Sequence, residues 1–291
     1  MTDQVVIVGA GHGAGQVVAT LRQQQYAGRI VLIGEESWLP YQRPPLSKKF
    51  LAGDMPAERL FVKPPSFYED PAIDLRLGTR VEAIDRKARS VRTADGETIR
   101  YTDLVLATGS RVRRLELPGS DLAGIHYLRG IDDVNAIRDD LEPAERIVIV
   151  GAGYIGLEVA AVAAELGKTV TVVEMADRVM SRVVSPGLSS FYADVHRAAG
   201  VELRLGTGVT GFAGAGGRVS GVIVPGGETL PADLVVVGVG IVPNVELAAD
   251  AGLEIDDGIV VDEHCRTTDP HVFAIGDCTA HPSRVYGRPI R

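Results

Sequence analysis

Short unbroken apolar runs recur along this chain, each closed by glycine. They lie at 5–8 before Gly9, 104–107 before Thr108-Gly109, 147–150 before Gly151, 234–237 before Gly238 and 272–275 before Gly276. They are rich in valine and isoleucine and lack polar alternation, the pattern of strands buried on both faces of a parallel sheet. Apolar stretches of helical character follow Gly11 and Gly153. Strand and helix alternate from the start, which predicts a doubly wound α/β fold. Two other segments show period-two alternation and polar or glycine turns: 80–92, and 201–224 around Gly214-Ala215-Gly216-Gly217. Both read as antiparallel meanders.

Two of the glycine-closed runs are copies of one motif, 142 residues apart. The first is Val5-Val6-Ile7-Val8-Gly9-Ala10-Gly11-His12-Gly13-Ala14, and the second Ile147-Val148-Ile149-Val150-Gly151-Ala152-Gly153-Tyr154-Ile155-Gly156. In this pattern the first glycine makes the tight turn, the second lets backbone approach a pyrophosphate, and the third position packs helix on strand. The helix start then offers unpaired N–H groups and partial positive charge to phosphate. The second copy is a full G-x-G-x-x-G, while the first carries Ala14 at the third position, a tolerated substitution. His12 reads as a helix-start residue. Each copy precedes a second strand ending in an acid, Glu35 and Glu174, placed 26 and 23 residues after the first glycine. That spacing suits a carboxylate that accepts from a ribose diol. A carboxylate also repels a 2′-phosphate, so an acid such as Glu174 favours a nucleotide with a free 2′-hydroxyl, with Arg178 close enough to soften the choice. The chain is therefore expected to hold two dinucleotides.

The 291 residues suffice for two domains, and 45 % apolar content supports real cores. Net charge of −8 and a pI near 5.3 argue against nucleic acid as a general partner. No run reaches the roughly 18 uncharged apolar residues of a membrane span. The two cysteines, Cys265 and Cys278, stand 13 apart. They form neither a C-x-x-C nor a C-x4-C pair, which leaves no dithiol relay and no zinc spacing. They read as small apolar fillers in a reducing, cytoplasmic compartment.

The second motif falls in mid-chain behind the turn Leu141-Glu142-Pro143-Ala144. One nucleotide domain is therefore expected to interrupt the other: 1–112 as the first part of the outer domain, 113–242 as the insert, and 243–291 as the outer domain's second part.

With these residues in place the chain resembles the FAD-dependent NADH–ferredoxin reductases of bacterial oxygenase systems, which share their fold with rubredoxin reductases and apoptosis-inducing factor. The stretch Leu39-Pro40-Tyr41-Gln42-Arg43-Pro44-Pro45-Leu46-Ser47-Lys48 carries most of the resemblance. Ala107-Thr108-Gly109, Ala274-Ile275-Gly276-Asp277 and Gly151-Ala152-Gly153-Tyr154-Ile155-Gly156-Leu157-Glu158 complete it. Gly13-Ala14 reverses the order usual in the family. The chain stops at Arg291, where family members continue with a helix that closes the flavin site and an interface domain; both are expected to lie outside it.

The resemblance implies FAD on the outer domain and NAD on the insert. FAD would meet Gly9, Gly11, Ala14, Glu35, Arg43 at the pyrophosphate, Val81 at the adenine, and Ala107, Thr108 and Gly109 along the adenosine-to-phosphate path. Gly276 and Asp277 would face the ribityl chain, with a helix N-cap as the alternative for Asp277. NAD would meet Gly151, Gly153, Tyr154, Ile155, Gly156, Glu158, Glu174 and Gly240. Tyr154 would cover the nicotinamide or simply pack. Lys48 and Glu158 would pair across the domain interface beside the flavin's reactive nitrogen, as the catalytic residues. The function implied is hydride transfer from NADH to FAD, then single electrons to a small ferredoxin that feeds a monooxygenase or dioxygenase. The alternatives are a rubredoxin or nitrite-system reductase, and an NADH-binding flavoprotein of the apoptosis-inducing-factor type. The basic group Arg111, Arg113 and Arg114 reads as a solvated strand exit or a contact for an acidic ferredoxin.

Overall fold

The computed structural model describes residues 3–290. Its α-helices are α1 (His12–Gln23), α2 (Ile131–Leu141), α3 (Tyr154–Glu165), α4 (Pro186–Ala198) and the short α5 (Glu246–Asp250). The chain divides into two compact units. One holds the residues up to Gln42, Glu58–Arg111 and those from Val242 onward; the other holds Arg43–Ala57 and Val112–Ile241.

The first unit is built on a five-stranded sheet. Its order is Val272–Ala274, Asp103–Leu106, Gln4–Val8, Arg29–Ile33, Ile73–Arg76, and every pairing is parallel. The apolar runs are explained by burial on both faces. Val5 and Ile7 pack with Val18 of α1 and with Leu32, whereas Val6 and Val8 pack on the opposite side with Val31, Leu104 and Val91. Each such side chain contributes about 1.5–3 kcal/mol of burial, so neither face tolerates a polar residue. The segment 80–92 forms the expected meander, with Val81–Asp85, Ser90–Thr93 and Thr98–Arg100 all antiparallel.

The second unit repeats the plan. Its sheet runs Glu202–Arg204, Thr169–Val173, Arg146–Val150, Leu234–Val237, Ile125–Tyr127, again all parallel. A meander of Gly211–Ala215, Arg218–Ile223 and Thr229–Pro231 packs Phe212, Val219 and Val222 against Val148, Val150 and Val235. One expectation needs correction here. The stretch from residue 201 does not belong to the meander at its start: Glu202–Arg204 is a parallel edge strand on Thr169–Val173. Three residues at a sheet edge alternate in polarity because only one face is covered, and alternation alone cannot tell that from an antiparallel hairpin.

Among the described residues no helix is long and apolar enough to cross a membrane. Both cysteines are free thiols, and burial pushes each of them above the usual thiol range. Cys278 is fully buried among the apolar side chains of the first unit, as its reading as a filler requires.

Candidate dinucleotide sites

The two glycine motifs fold into nearly identical turns. Gly9 has φ +102° and Gly151 has φ +103°, a region closed to side-chain-bearing residues. A Cβ on Gly9 would lie 2.2 Å from the Ala107 carbonyl oxygen, and one on Gly151 would lie 2.5 Å from that of Gly238. Each glycine N–H is tied to the end of the neighbouring strand: Gly9 to Ile33 O and Gly151 to Val173 O, both at 2.8 Å. The backbone that follows the strand on the other side, at Ala107 in one unit and Gly238 in the other, thus leaves no room for a side chain in either turn.

Both turns deliver a helix N-terminus without a side-chain cap. Gly11 precedes α1 and Gly153 precedes α3, each in extended conformation. A Cβ on either would meet nothing within 4 Å, so open space lies before the first-turn N–H groups. An uncapped helix end with clear space and glycine at the point of approach fits a pyrophosphate. The third positions differ. Ala14 is fully buried in the core of the first unit, whereas a methyl on Gly156 would sit 2.0 Å from the Gly151 carbonyl oxygen.

The two ribose acids are held differently. Glu35 is 70 % exposed and pairs with Arg80 at 3.4 Å. Glu174 is engaged on both oxygens: the Ala152 N–H donates to Oε2 at 2.7 Å and the Ala176 N–H to Oε1 at 2.8 Å. The acid of the second unit therefore braces the glycine turn while keeping lone pairs for a ribose. Arg178, four residues on, donates to the carbonyls of Ser181 and Val184 and is committed to its own loop.

Other residues named from the sequence are placed as follows. Thr108 donates through Oγ1 to the Asn244 carbonyl at 2.7 Å, and the Asn244 side-chain amide donates back to the Thr108 carbonyl at 2.9 Å. Asn244 also accepts from Arg111, which pairs with Glu246, so Arg111 serves its own unit. Arg114 stacks over the Tyr127 ring at 5.0 Å. Asp277 is exposed and accepts from Ser110 Oγ at 2.9 Å. It sits inside the first turn of the short 3-10 helix Gly276–Cys278, whose N-cap is Ile275, so the N-cap alternative does not hold. Val81 opens a strand at an irregularity of register. Gly240 has φ +114° and its carbonyl accepts from the Arg113 N–H. Tyr154 is 52 % exposed and Ile155 is also exposed, so the aromatic ring is not a core-packing residue.

Arg43 and Lys48 belong to the second unit. Arg43 donates to the Arg129 carbonyl at 2.6 Å. Lys48 Nζ lies 2.8 Å from Glu158 Oε2, in the ion pair that the resemblance implies. Both partners fall within one compact unit, not across a boundary between two, because Arg43–Ala57 packs with α2 and α3. Ser47 donates to the same Glu158 oxygen at 2.5 Å. Neither Ser47 nor Asn244 was legible as a site residue, since each acts through partners more than a hundred positions away in the chain.

Two parallel-sheet units, each with a bare helix end behind a glycine turn and an acid at its flank, define a protein of two dinucleotides. The match to known proteins agrees with that class. Residues 3–288 match the model of the pyridine nucleotide-disulphide oxidoreductase family. The chain is 47 % identical to a ferredoxin–NAD(P)+ reductase of a Sphingomonas species, covering 97 % of this chain and 69 % of the relative. It is 42 % identical to a rubredoxin–NAD+ reductase of Pseudomonas putida, covering 99 % and 74 %. The crystal structure of a ferredoxin reductase from Rhodopseudomonas palustris superimposes with a TM-score of 0.96 at 47 % identity, covering 99 % of this chain and 71 % of that one. The chain belongs to the pyridine nucleotide-disulphide oxidoreductase family. It is an oxidoreductase that uses FAD and a nicotinamide dinucleotide.

Proposed function

We propose that this chain takes hydride from NADH, with NADPH the poorer donor, and passes electrons singly to a small iron–sulfur ferredoxin serving an oxygenase. The observation that carries the reading is the duplicated turn, one dinucleotide cradle in each unit, in a chain with no paired cysteines to relay electrons. FAD supplies the conversion, since it accepts a hydride and releases electrons one at a time. The chain's own part is to bind and orient. The α1 end, Glu35, Thr108 and Asp277 are assigned to FAD. The α3 end, Tyr154 and Glu174 are assigned to the nicotinamide nucleotide. Lys48 keeps positive charge next to Glu158, the two residues assigned to the hydride step. The free thiols fit a reducing, cytoplasmic compartment.

The test is an anaerobic NADH titration of the FAD-loaded protein, followed by visible absorbance and then by mixing with oxidised acceptor. Bleaching of the flavin and rapid reduction of a ferredoxin are expected. Yellow protein that does not bleach overturns the assignment and favours a ligand-binding role of the apoptosis-inducing-factor type. The rubredoxin reductase relative motivates a second acceptor: faster reduction of rubredoxin than of any ferredoxin favours that reading.

A further inference from the structure

Glu158 receives two donors on one oxygen, and they differ in kind. Lys48 carries charge, but its side chain is 49 % exposed, and its ammonium is shared with the Pro44 carbonyl at 3.1 Å. A long, half-solvated lysine fixes position poorly, because several rotamers must be given up to hold one geometry. Ser47 has a single short side chain, is 4 % exposed, and donates to Glu158 Oε2 at 2.5 Å. Its backbone is also set. Pro44 and Pro45 open the 3-10 turn Pro44–Ser47, which closes through Leu46 N–H to Arg43 O and Lys48 N–H to Pro45 O. Leu46, Phe50 and Leu51 are buried around it.

We infer that Ser47 is a positioning residue: it fixes the Glu158 carboxylate through Oε2 and so presents Oε1 as the acceptor for the nicotinamide nucleotide. Among the described residues no hydrogen bond reaches Oε1, and Glu158 stands on the second turn of α3, whose bare N-terminus is assigned to the same ligand. The carboxamide N–H donors of nicotinamide match such an acceptor, which is charged and therefore forms the stronger class of hydrogen bond. Ser47 thus sets geometry and Lys48 sets charge on one carboxylate. This inference rests on the assignment of Glu158 to the nicotinamide nucleotide.

The test compares NAD+ binding by calorimetry with the rate of flavin reduction at saturating NADH, using the FAD-loaded protein. Ser47→Ala should raise the Kd for NAD+ about tenfold, the scale of one hydrogen bond to a charged group, and lower the saturated rate by a smaller factor than it weakens binding. Ser47→Cys, nearly the same size but a weak donor, should do the same, which guards against misfolding of the alanine variant. Ser47→Thr keeps the hydroxyl and should bind close to wild type. Glu158→Gln separates the two ways of being wrong. If it weakens NAD+ while both Ser47→Ala and Ser47→Cys bind as wild type, the role of Ser47 is overturned and that of Glu158 stands. If Glu158→Gln itself binds NAD+ as wild type, the assignment of Glu158 falls, and the inference with it.

Discussion

Glu174 holds the turn that precedes it in the chain by accepting the Ala152 N–H at 2.7 Å, between the two glycines of the second motif. Its other oxygen takes the Ala176 N–H, so one carboxylate joins the glycine turn to the loop after the strand Thr169–Val173. A residue expected to choose between nucleotides also carries the shape of their cradle.

Replacing Glu174 therefore has two effects. Glu174→Arg should remove the repulsion toward a 2′-phosphate and improve the NADPH-to-NADH preference. It should also release two backbone donors and raise KM for both nucleotides, by roughly tenfold for about 1–2 kcal/mol of lost bonding. Glu174→Gln, which keeps an acceptor oxygen, should lose less. Steady-state kinetics with each nucleotide decide it; an arginine variant with wild-type KM for NADH refutes the bracing role.

The third position of each motif gives a paired test. Gly156→Ala puts a methyl 2.0 Å from a backbone carbonyl, which forces strand and helix apart. It should abolish measurable NAD+ binding while flavin colour is retained. Ala14→Gly should keep both and cost about 1 kcal/mol through helix propensity. NAD+ affinity unchanged in Gly156→Ala would show that the helix can yield.

Lys48→Met removes the charge beside Glu158. The pair is half exposed, so its contribution to stability is below about 1 kcal/mol, and the melting temperature should move by no more than about 4 °C. The rate of flavin reduction by NADH should fall by at least about tenfold, the equivalent of 1.4 kcal/mol in the barrier. Stopped-flow absorbance measures it, and a wild-type rate would remove Lys48 from the hydride step.

Acid stability offers a fourth test. The Arg146 side chain, with the Arg146 and Glu145 N–H groups, holds the Asp233 carboxyl down to about 2 against an ordinary value of 3.8. A depressed carboxylate stabilises above its unfolded value and loses that contribution as pH falls through the folded one. The window is therefore about pH 4 down to about pH 2. Because the pair is largely exposed the effect is small, about 1 kcal/mol or less. Asp233→Asn should melt a few degrees below wild type at pH 6, and the gap should narrow below pH 4 and close only toward pH 2. A gap that is constant with pH would refute the linkage.

Much of this molecule is written locally. Val5 to Ala14 and Ile147 to Gly156 announce strand, turn and helix because each rule they obey acts within about ten residues. The acids Glu35 and Glu174 follow from strand length. The sequence was silent where chain distance is large: Asn244 under Thr108, Ser47 under Glu158, and Ala152 under Glu174 are pairings that only tertiary packing creates. The edge strand Glu202–Arg204 carries no sequence mark of its parallel pairing, because half-buried strands alternate whichever way they pair. Arg43–Ala57 carries no local mark of the unit it joins, since proline turns and a few buried side chains dock equally well on any apolar helix surface.

That last segment has a practical consequence for anyone cutting the gene. A fragment encoding only Val112–Ile241 would look like a self-contained nucleotide domain on a linear map. It would nevertheless lack Ser47 and Lys48, the two donors to Glu158, and the buried side chains of Leu46, Phe50 and Leu51. An excised unit would need residues 43–57 spliced back, by a designed linker or by supply as a separate peptide, before its carboxylate could be compared with that of the intact chain.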